Sequence, residues 1–295
     1  IKEECKKALI QKFGSIRAMN RVLKLDRKTF LLKSKCSISI KHLKLSGIYE
    51  QVKPDLKIFK TPKGKLIEIN QLISDHFYLL GLIASDGNNT REKNTIRPTR
   101  IKFHNANEQL IDKFKETYNK LFPTILISKK KIRPNLFQLD SSNSLLASIA
   151  SKLGVISPNK YSDILPILYC KKDFIKLFLR GYFDGDGTAY IKKKKNSTTT
   201  YSKIAIFSVN YTNAKRIHQM LLRLGINSKI LKNKMGIYAI DVNSLPSKKR
   251  FINEIGSNHP KKNEIFNKIN NIYSKSLLED ELYIGFHYKE FIRKK

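Results

Sequence analysis

Two aspartates carry the most pointed chemical signal in this chain. Asp86 and Asp186 stand 100 residues apart in matching surroundings. Residues 79–87 run Leu-Leu-Gly-Leu-Ile-Ala-Ser-Asp-Gly, and residues 179–187 run Leu-Arg-Gly-Tyr-Phe-Asp-Gly-Asp-Gly. Each acid closes an apolar, helix-like stretch just ahead of a glycine suited to the left-handed C′ position. The helix macrodipole is negative at that end, so a carboxylate there costs ~0.3–1 kcal/mol. Two such ends brought together add the repulsion of the acids, and folding alone offers no return for it. A bound divalent cation removes the conflict. Carboxylates with backbone carbonyls make a hard oxygen site that suits Mg²⁺. Beside a phosphodiester, such a site activates water and stabilises the attacking and leaving oxygens. The competing reading is a pair of ordinary core helices with acids at solvated tips. One motif would favour it; two at matching positions in a basic chain favour the metal.

The elements that must position these acids repeat as well. Gly81-x-x-x-Ser85 and Gly181-x-x-x-Gly185 put small residues one turn apart, which lets two helix backbones nearly touch. After Asp86 come a polar turn (Asn88–Lys93), a strand around Arg100–Phe103, and a helix with Leu110, Ile111, Phe114, Tyr118 and Leu121 on one face. After Asp186 come the basic run Lys192–Lys195, a strand over Lys203–Val209, and a helix with Ala214, Ile217, Leu221 and Leu224 that stops at Gly225. Strand pairs follow over Ile125–Ser128 with Leu136–Asp140, and over Ser228–Leu231 with Gly236–Val242. A last helix in each half ends at Gly154 or Gly256, and each glycine leads at the same offsets to a proline and a lysine, Pro158 and Lys160 or Pro260 and Lys262. The pattern predicts an α+β fold of two pseudo-symmetric αββαββα repeats, over 71–172 and 173–295, the second with a C-terminal helical tail. Residues 1–52 predict a small helical region of helix-turn-helix spacing, with Ser15 and Asp26 as N-caps. Lys53–Lys65, with Pro54, Pro62 and Gly64, predicts a linker within 53–70.

Composition names the class of partner. Lys and Arg number 58 against 24 Asp and Glu, a formal charge of +34, so an ordinary metabolic enzyme is not the default and a polyanion is. The three cysteines, Cys5, Cys36 and Cys170, are scattered, which argues against a disulfide framework or a cysteine zinc site and points to a reducing compartment, cytoplasm or organellar matrix. No apolar run approaches the ~18 residues of a membrane span. No signal peptide is visible, and no membrane partner is expected.

Both acidic motifs resemble the LAGLIDADG signature of homing endonucleases in the single-chain, two-motif form, over roughly residues 70–270. Leu221-Leu222-Arg223-Leu224-Gly225-Ile226 with Ser228-Lys229 is similar to the second-repeat helix of intein-type and archaeal intron-type members. The resemblance implies a saddle of two antiparallel sheets over the DNA major groove. It implies a monomer that cleaves both strands of a long, partly palindromic duplex target with Mg²⁺ and leaves short 3′ overhangs. Mn²⁺ would substitute, and Ca²⁺ would bind without supporting cleavage. The family's metal-binding acids fall on Asp86 and Asp186, with the main-chain carbonyls of Ser85 and Gly185 beside them. Lys160 and Lys262 resemble the lysines that polarise water or stabilise transition-state charge; the alternative is a phosphate contact or a solvated surface charge. Ala84 stands where the first motif's earlier acid would be, whereas the second keeps Asp184; that position is not the metal ligand. The chain neither begins with Cys, Ser or Thr nor ends in His-Asn, so intein splicing residues are missing.

On the sheets, candidate DNA contacts are Arg97, Arg100, Lys102, Lys129–Lys131, Arg133, Gln138, Lys192–Lys195 (Lys192 and Lys194 above all), Lys203, Lys229 and Lys232. A one-residue register error would swap their faces. Two other functions stay open: a non-catalytic DNA-binding regulator on the same scaffold, and an RNA maturase that assists an intron.

Overall fold

The computed structural model describes residues 11–15, 18, 21, 58–60, 66–68, 72–90, 99–156, 161–193 and 200–272. The chain divides into two compact units, residues 1–72 and 73–295. In the first unit, the predicted cap at Ser15 is present: its Oγ accepts from the Ala18 amide at 3.1 Å. The rest of the predicted helix-turn-helix region, Asp26 included, lies outside the described residues. The stretch expected to be a plain linker contains an antiparallel strand pair, β1 (Ile58–Lys60) with β2 (Leu66–Glu68).

The second unit holds both repeats. The first runs α1 (Ser74–Asp86), β3 (Gly87–Thr90), β4 (Arg100–Asn105), α2 (Glu108–Leu121), β5 (Ser128–Arg133), β6 (Leu136–Ser141) and α3 (Ser144–Lys152). A single turn, α4 (Leu165–Leu168), joins it to the second: α5 (Lys172–Asp186), β7 (Gly187–Lys193), β8 (Thr200–Ser208), α6 (Tyr211–Arg223), β9 (Ser228–Lys232), β10 (Tyr238–Val242) and α7 (Leu245–Glu254). A further helix, α8, covers 260–272. The two four-stranded antiparallel sheets have the same order, β3-β4-β6-β5 and β7-β8-β10-β9, as a duplicated unit requires. No helix among the described residues is long and apolar enough to cross a membrane.

The core follows from the periodicity. One face of α2 buries Leu110, Ile111, Phe114 and Tyr118, and Phe114 stacks on Phe103 of β4 at 4.7 Å between ring centroids. In the second repeat, Ile217 and Leu221 of α6 are fully buried, as is Ile240 of β10, which pairs with Ile206 of β8. Asn107 and Asn210 cap α2 and α6. Gly154, Gly225 and Gly256 end their helices at φ of 83°, 72° and 65°.

Three local expectations differ. The first part of the expected polar turn is strand: β3 starts at Gly87, and Asn88–Thr90 pair with Arg100–Lys102 of β4, while residues 91–93 lie outside the described residues. Gly87 and Gly187 are not left-handed but extended, at φ −101° and −95°. Space demands glycine there, since a Cβ at Gly87 would lie 2.7 Å from the Ile83 carbonyl oxygen and one at Gly187 2.6 Å from Phe183 Cγ. The third strand begins at Ser128 rather than Ile125, and Ile125 and Ile127 are a buried lead-in. As an edge strand, β5 can place its lysines at the solvent without losing the ladder.

α1 and α5 cross at Gly81 and Gly181. A Cβ on Gly81 would sit 2.7 Å from the Tyr182 amide nitrogen, and one on Gly181 3.0 Å from that of Leu82; each would also strike a carbonyl oxygen, of Phe178 and Tyr78 respectively. Those obstacles are backbone and cannot swing away. Gly181→Ala therefore destabilises the unit by about 1–3 kcal/mol or more, against an intrinsic helix gain of about 1 kcal/mol. A lowered thermal midpoint checks this; an unchanged or raised one would contradict the contact.

Candidate functional site

The crossing brings the ends of α1 and α5 together, so Asp86 and Asp186 share one neighbourhood. Each acid is the last residue of its helix, and the next residue starts the first strand of its own sheet. Gly185 makes the room. A Cβ there would lie 2.7 Å from Ser85 Cβ and 2.9 Å from Asp86 Oδ2. Burial raises the Asp86 carboxyl above the ordinary aspartate range, partly opposed by its hydrogen bond from Asn105 and by the Lys262 charge. Asp186 is pushed up to about 7, first by burial and then by the negative charge of Asp86, with Lys262 opposing. Such a carboxyl holds its proton more tightly folded than unfolded, so it costs stability at neutral pH, and the cost fades as pH falls.

The two acids are held differently. Asn105 Nδ2 donates to Asp86 Oδ2 at 2.7 Å, while its own Oδ1 accepts from the Asn107 amide at 2.7 Å. Ser208 occupies the matching place in the second repeat, and its Oγ accepts from the Asn210 amide at 3.2 Å. It hydrogen-bonds Tyr182. Among the described residues, no hydrogen-bond donor to the Asp186 carboxylate is found. A divalent cation fits this pair, because the acids are half-buried, close and charged at neutral pH only against a penalty. Asp86, Asp186 and the carbonyls of Ser85 and Gly185 would hold it. Among the described residues no cluster of three or more His, Cys, Asp or Glu offers an alternative site.

Asp184, two residues before Asp186, does structural work. Its carboxylate accepts from Tyr78 Oη of the facing helix at 2.9 Å, from the Asn258 amide at 3.1 and 3.2 Å, and from Ser257 Oγ. Lys262 closes the site from α8. Its Nζ donates to the carbonyls of Phe183 at 2.6 Å and Asp184 at 2.8 Å, and reaches that of Gly185 at 3.5 Å. It thereby caps the negative end of α5. Burial pulls its ammonium down to about 8, against the pull of Asp184, Asp86 and Asp186. Lys160, its counterpart, lies outside the described residues, as do Arg97, Lys194 and Lys195.

Sheet register sorts the remaining candidates. On the first sheet, Arg100, Lys102 and Gln138 share the open face, away from Leu139 and the helices, and the bulge between Lys131 and Arg133 returns Arg133 to it. Lys129 and Lys131, expected among the DNA contacts, instead oppose Leu139 and Phe137 on the helix side, and Lys129 is ion-paired to Glu108 at 2.8 Å and Asp112 at 2.6 Å of α2. Lys130, opposite Gln138, takes the open face instead. On the second sheet, Lys192, Lys203 and Lys229 share the open face, whereas Lys232, opposite Tyr238, lies on the helix side with Ile230 and Ile240. Sequence reading missed Asn105, although the pairs Asn105-x-Asn107 and Ser208-x-Asn210 match across the repeats and could have flagged it.

Asn105→Ala removes the hydrogen bond that favours the charged form of Asp86, so that carboxyl's titration midpoint rises. Carboxyl-carbon NMR on the metal-free chain checks this, with Asp184 as an internal control. An unmoved Asp86 midpoint would refute the contact.

Known proteins share parts of this chain. It is 27% identical over 187 residues to a subunit of the A-type ATP synthase of Methanopyrus kandleri, covering 63% of this chain and 16% of that protein. It is 26% identical over 188 residues to the replication factor C small subunit of Methanocaldococcus jannaschii, covering 62% of this chain and 9% of that one. The chain thus spans under a fifth of the length of either relative. A solved structure of I-DmoI in complex with DNA and Mn superposes with a TM-score of 0.47 at 19% identity, covering 63% of this chain and 98% of that one. Residues 173–256, from the start of α5 through α7, match the LAGLIDADG-like domain family. Asp186 falls inside the stretch that matches.

Proposed function

We propose that this chain is a site-specific, divalent-metal-dependent endonuclease that cuts both strands of duplex DNA. One observation carries the reading. Two pseudo-equivalent carboxylates meet at the touching C-terminal ends of α1 and α5, each joined directly to the first strand of a sheet with bases on its open face. A metal held there would lower the pKa of bound water and neutralise charge on the scissile phosphate. The chain's own part is to orient. Asn105 sets the Asp86 carboxylate, Asp184 and Tyr78 tie the two helices, and Lys262 caps α5 and adds positive charge beside the phosphate. The open-face bases Lys102, Lys192 and Lys229 would track the duplex through its phosphates, beside Arg100 and Lys203, which are paired to Asp140 and Asp241. Two unlike sheets imply a target whose halves differ. Neither ATP synthesis nor replication travels with the aligned stretch, since it aligns with a small part of two proteins of unrelated names.

Mg²⁺ is the expected metal, with Mn²⁺ substituting and short 3′ overhangs as product. The test is cleavage of duplex DNA that carries the uninterrupted native insertion junction. Mg²⁺ should give double-strand cutting and EDTA should stop it. Asp86→Asn and Asp186→Asn should each abolish cleavage of at least one strand while binding stays within a few-fold. No cutting with Mg²⁺ of DNA that the chain nevertheless binds would remove the nuclease and leave a DNA-binding regulator.

A further inference from the structure

The open faces of the two sheets differ in one row. On the first sheet, His104 of β4 lies opposite Gln138 of β6, and Gln138 opposite Lys130 of β5. The matching row of the second sheet is Phe207 of β8, Ala239 of β10 and Leu231 of β9. The helix ends fix the match. Gly87 pairs with Phe103 and Gly187 with Ile206, so His104 and Phe207 each stand one residue past the partner of the glycine that follows a motif acid. Each row therefore lies at the end of its sheet nearest Asp86 or Asp186.

The neighbours of Phe207, Ala239 and Leu231 show that the row faces away from the helices. Ile206 and Ile240 are fully buried on the helix side, and Ser208 hydrogen-bonds Tyr182 of α5. Leu231 is 42% exposed and Phe207 half-buried, while Ala239 between them is nearly covered. Lys229 shares the face two residues along β9 from Leu231, with Lys203 and Lys192 farther from the acids. The first row consists of hydrogen-bonding groups, with Gln138 Oε1 2.9 Å from His104 Nε2. The side chains of the second row can neither donate nor accept.

An apolar strip among lysines suits only some parts of a duplex. A phosphate set against it would lose hydration and gain no partner. A base edge set against it leaves polar atoms unpaired, the N4 amine of cytosine or the N7 and O6 acceptors of guanine. Thymine differs, because its C5-methyl projects into the major groove and gains from apolar contact. Phenylalanine and alanine side chains are suited to that contact, and the exposed leucine beside them widens it.

We propose that Phe207, Ala239 and Leu231 form a thymine-methyl contact, which makes thymine the preferred base at the inner end of the half-site under the second sheet. The half-site under His104 and Gln138 has no equivalent contact. The proposal deepens the DNA-binding reading above and rests on it.

The full chain, in EDTA so that nothing is cut, is used to select duplexes from a randomised pool. Each thymine of the selected duplex is then replaced in turn by deoxyuridine, which removes only the methyl group. At one inner position of one half-site the wild-type chain should bind the deoxyuridine duplex roughly 3- to 10-fold more weakly. Leu231→Ser and Phe207→Ala should bind the two duplexes nearly alike. As a control, Lys229→Ala should weaken both equally and keep their ratio. Thermal melting confirms that each variant is folded, and the exposed Leu231→Ser serves if Phe207→Ala is not. Equal binding of both duplexes by the wild-type chain at every inner position, or an unchanged ratio in Leu231→Ser, would overturn the proposal. An unchanged ratio together with an altered oligomeric state in Leu231→Ser would also overturn it, and would give the strip to a second copy of the chain. Selection of no sequence at all by the wild-type chain would overturn the DNA reading itself, a separate outcome from these.

Discussion

Everything in the second unit depends on how closely α1 and α5 approach. Gly81 and Gly181 let each backbone rest against the other, and Gly185 leaves room for the Asp86 carboxylate. The approach places two acids at the negative ends of two helices, where burial and mutual repulsion both act against their charge. Folding gains nothing from that arrangement. It is a destabilised site on helices that are otherwise well packed, with Phe77, Leu80, Phe178 and Tyr182 buried along them, and sites of that kind are where function is to be sought.

The surrounding polar groups keep the strain local. Asp184 accepts hydrogen bonds from Tyr78, Ser257 and the Asn258 amide, so its buried charge is satisfied and binds α5 to both the facing helix and the 257–258 loop. From that loop the polar contacts run on: Asn107 Nδ2 meets His259 Nε2 at 3.0 Å, joining the cap of the first repeat's α2 to the second repeat. Lys262 brings a cation to the end of α5. The repeats are therefore similar in outline and unlike in their hydrogen bonds, with Asn105 on Asp86 and its counterpart Ser208 on Asn210 and Tyr182.

Much of this was legible beforehand. The order of elements, the duplication, the buried helix faces and the glycine stops at 154, 225 and 256 all follow from local periodicity and backbone preference, which a sequence carries within a few residues. The two motif acids stood out for the same reason, as charges where an apolar helix should end. The faces of the edge strands were not legible. Lys129, Lys130 and Lys131 are one residue type in a row, so no pattern says which points outward, and only pairing with Leu139 and Gln138 decides it. Nor does the sequence show why Gly87 and Gly187 are glycine, because the demand on them is crowding by the preceding turn and not a left-handed φ.

By itself, then, the sequence determined the kind of fold, the recurrence of two acids in matching settings and the excess of positive charge, because composition and period are properties of the chain alone. Tertiary structure decided which groups touch those acids and which bases share the open faces. Asn105 reaches Asp86, Lys262 crosses from α8 to the end of α5, and Arg100 meets Asp140 across 40 residues of chain. Contacts of that kind join residues with no local relation, and only the register of the strands and the crossing of the two central helices brings them within hydrogen-bonding distance.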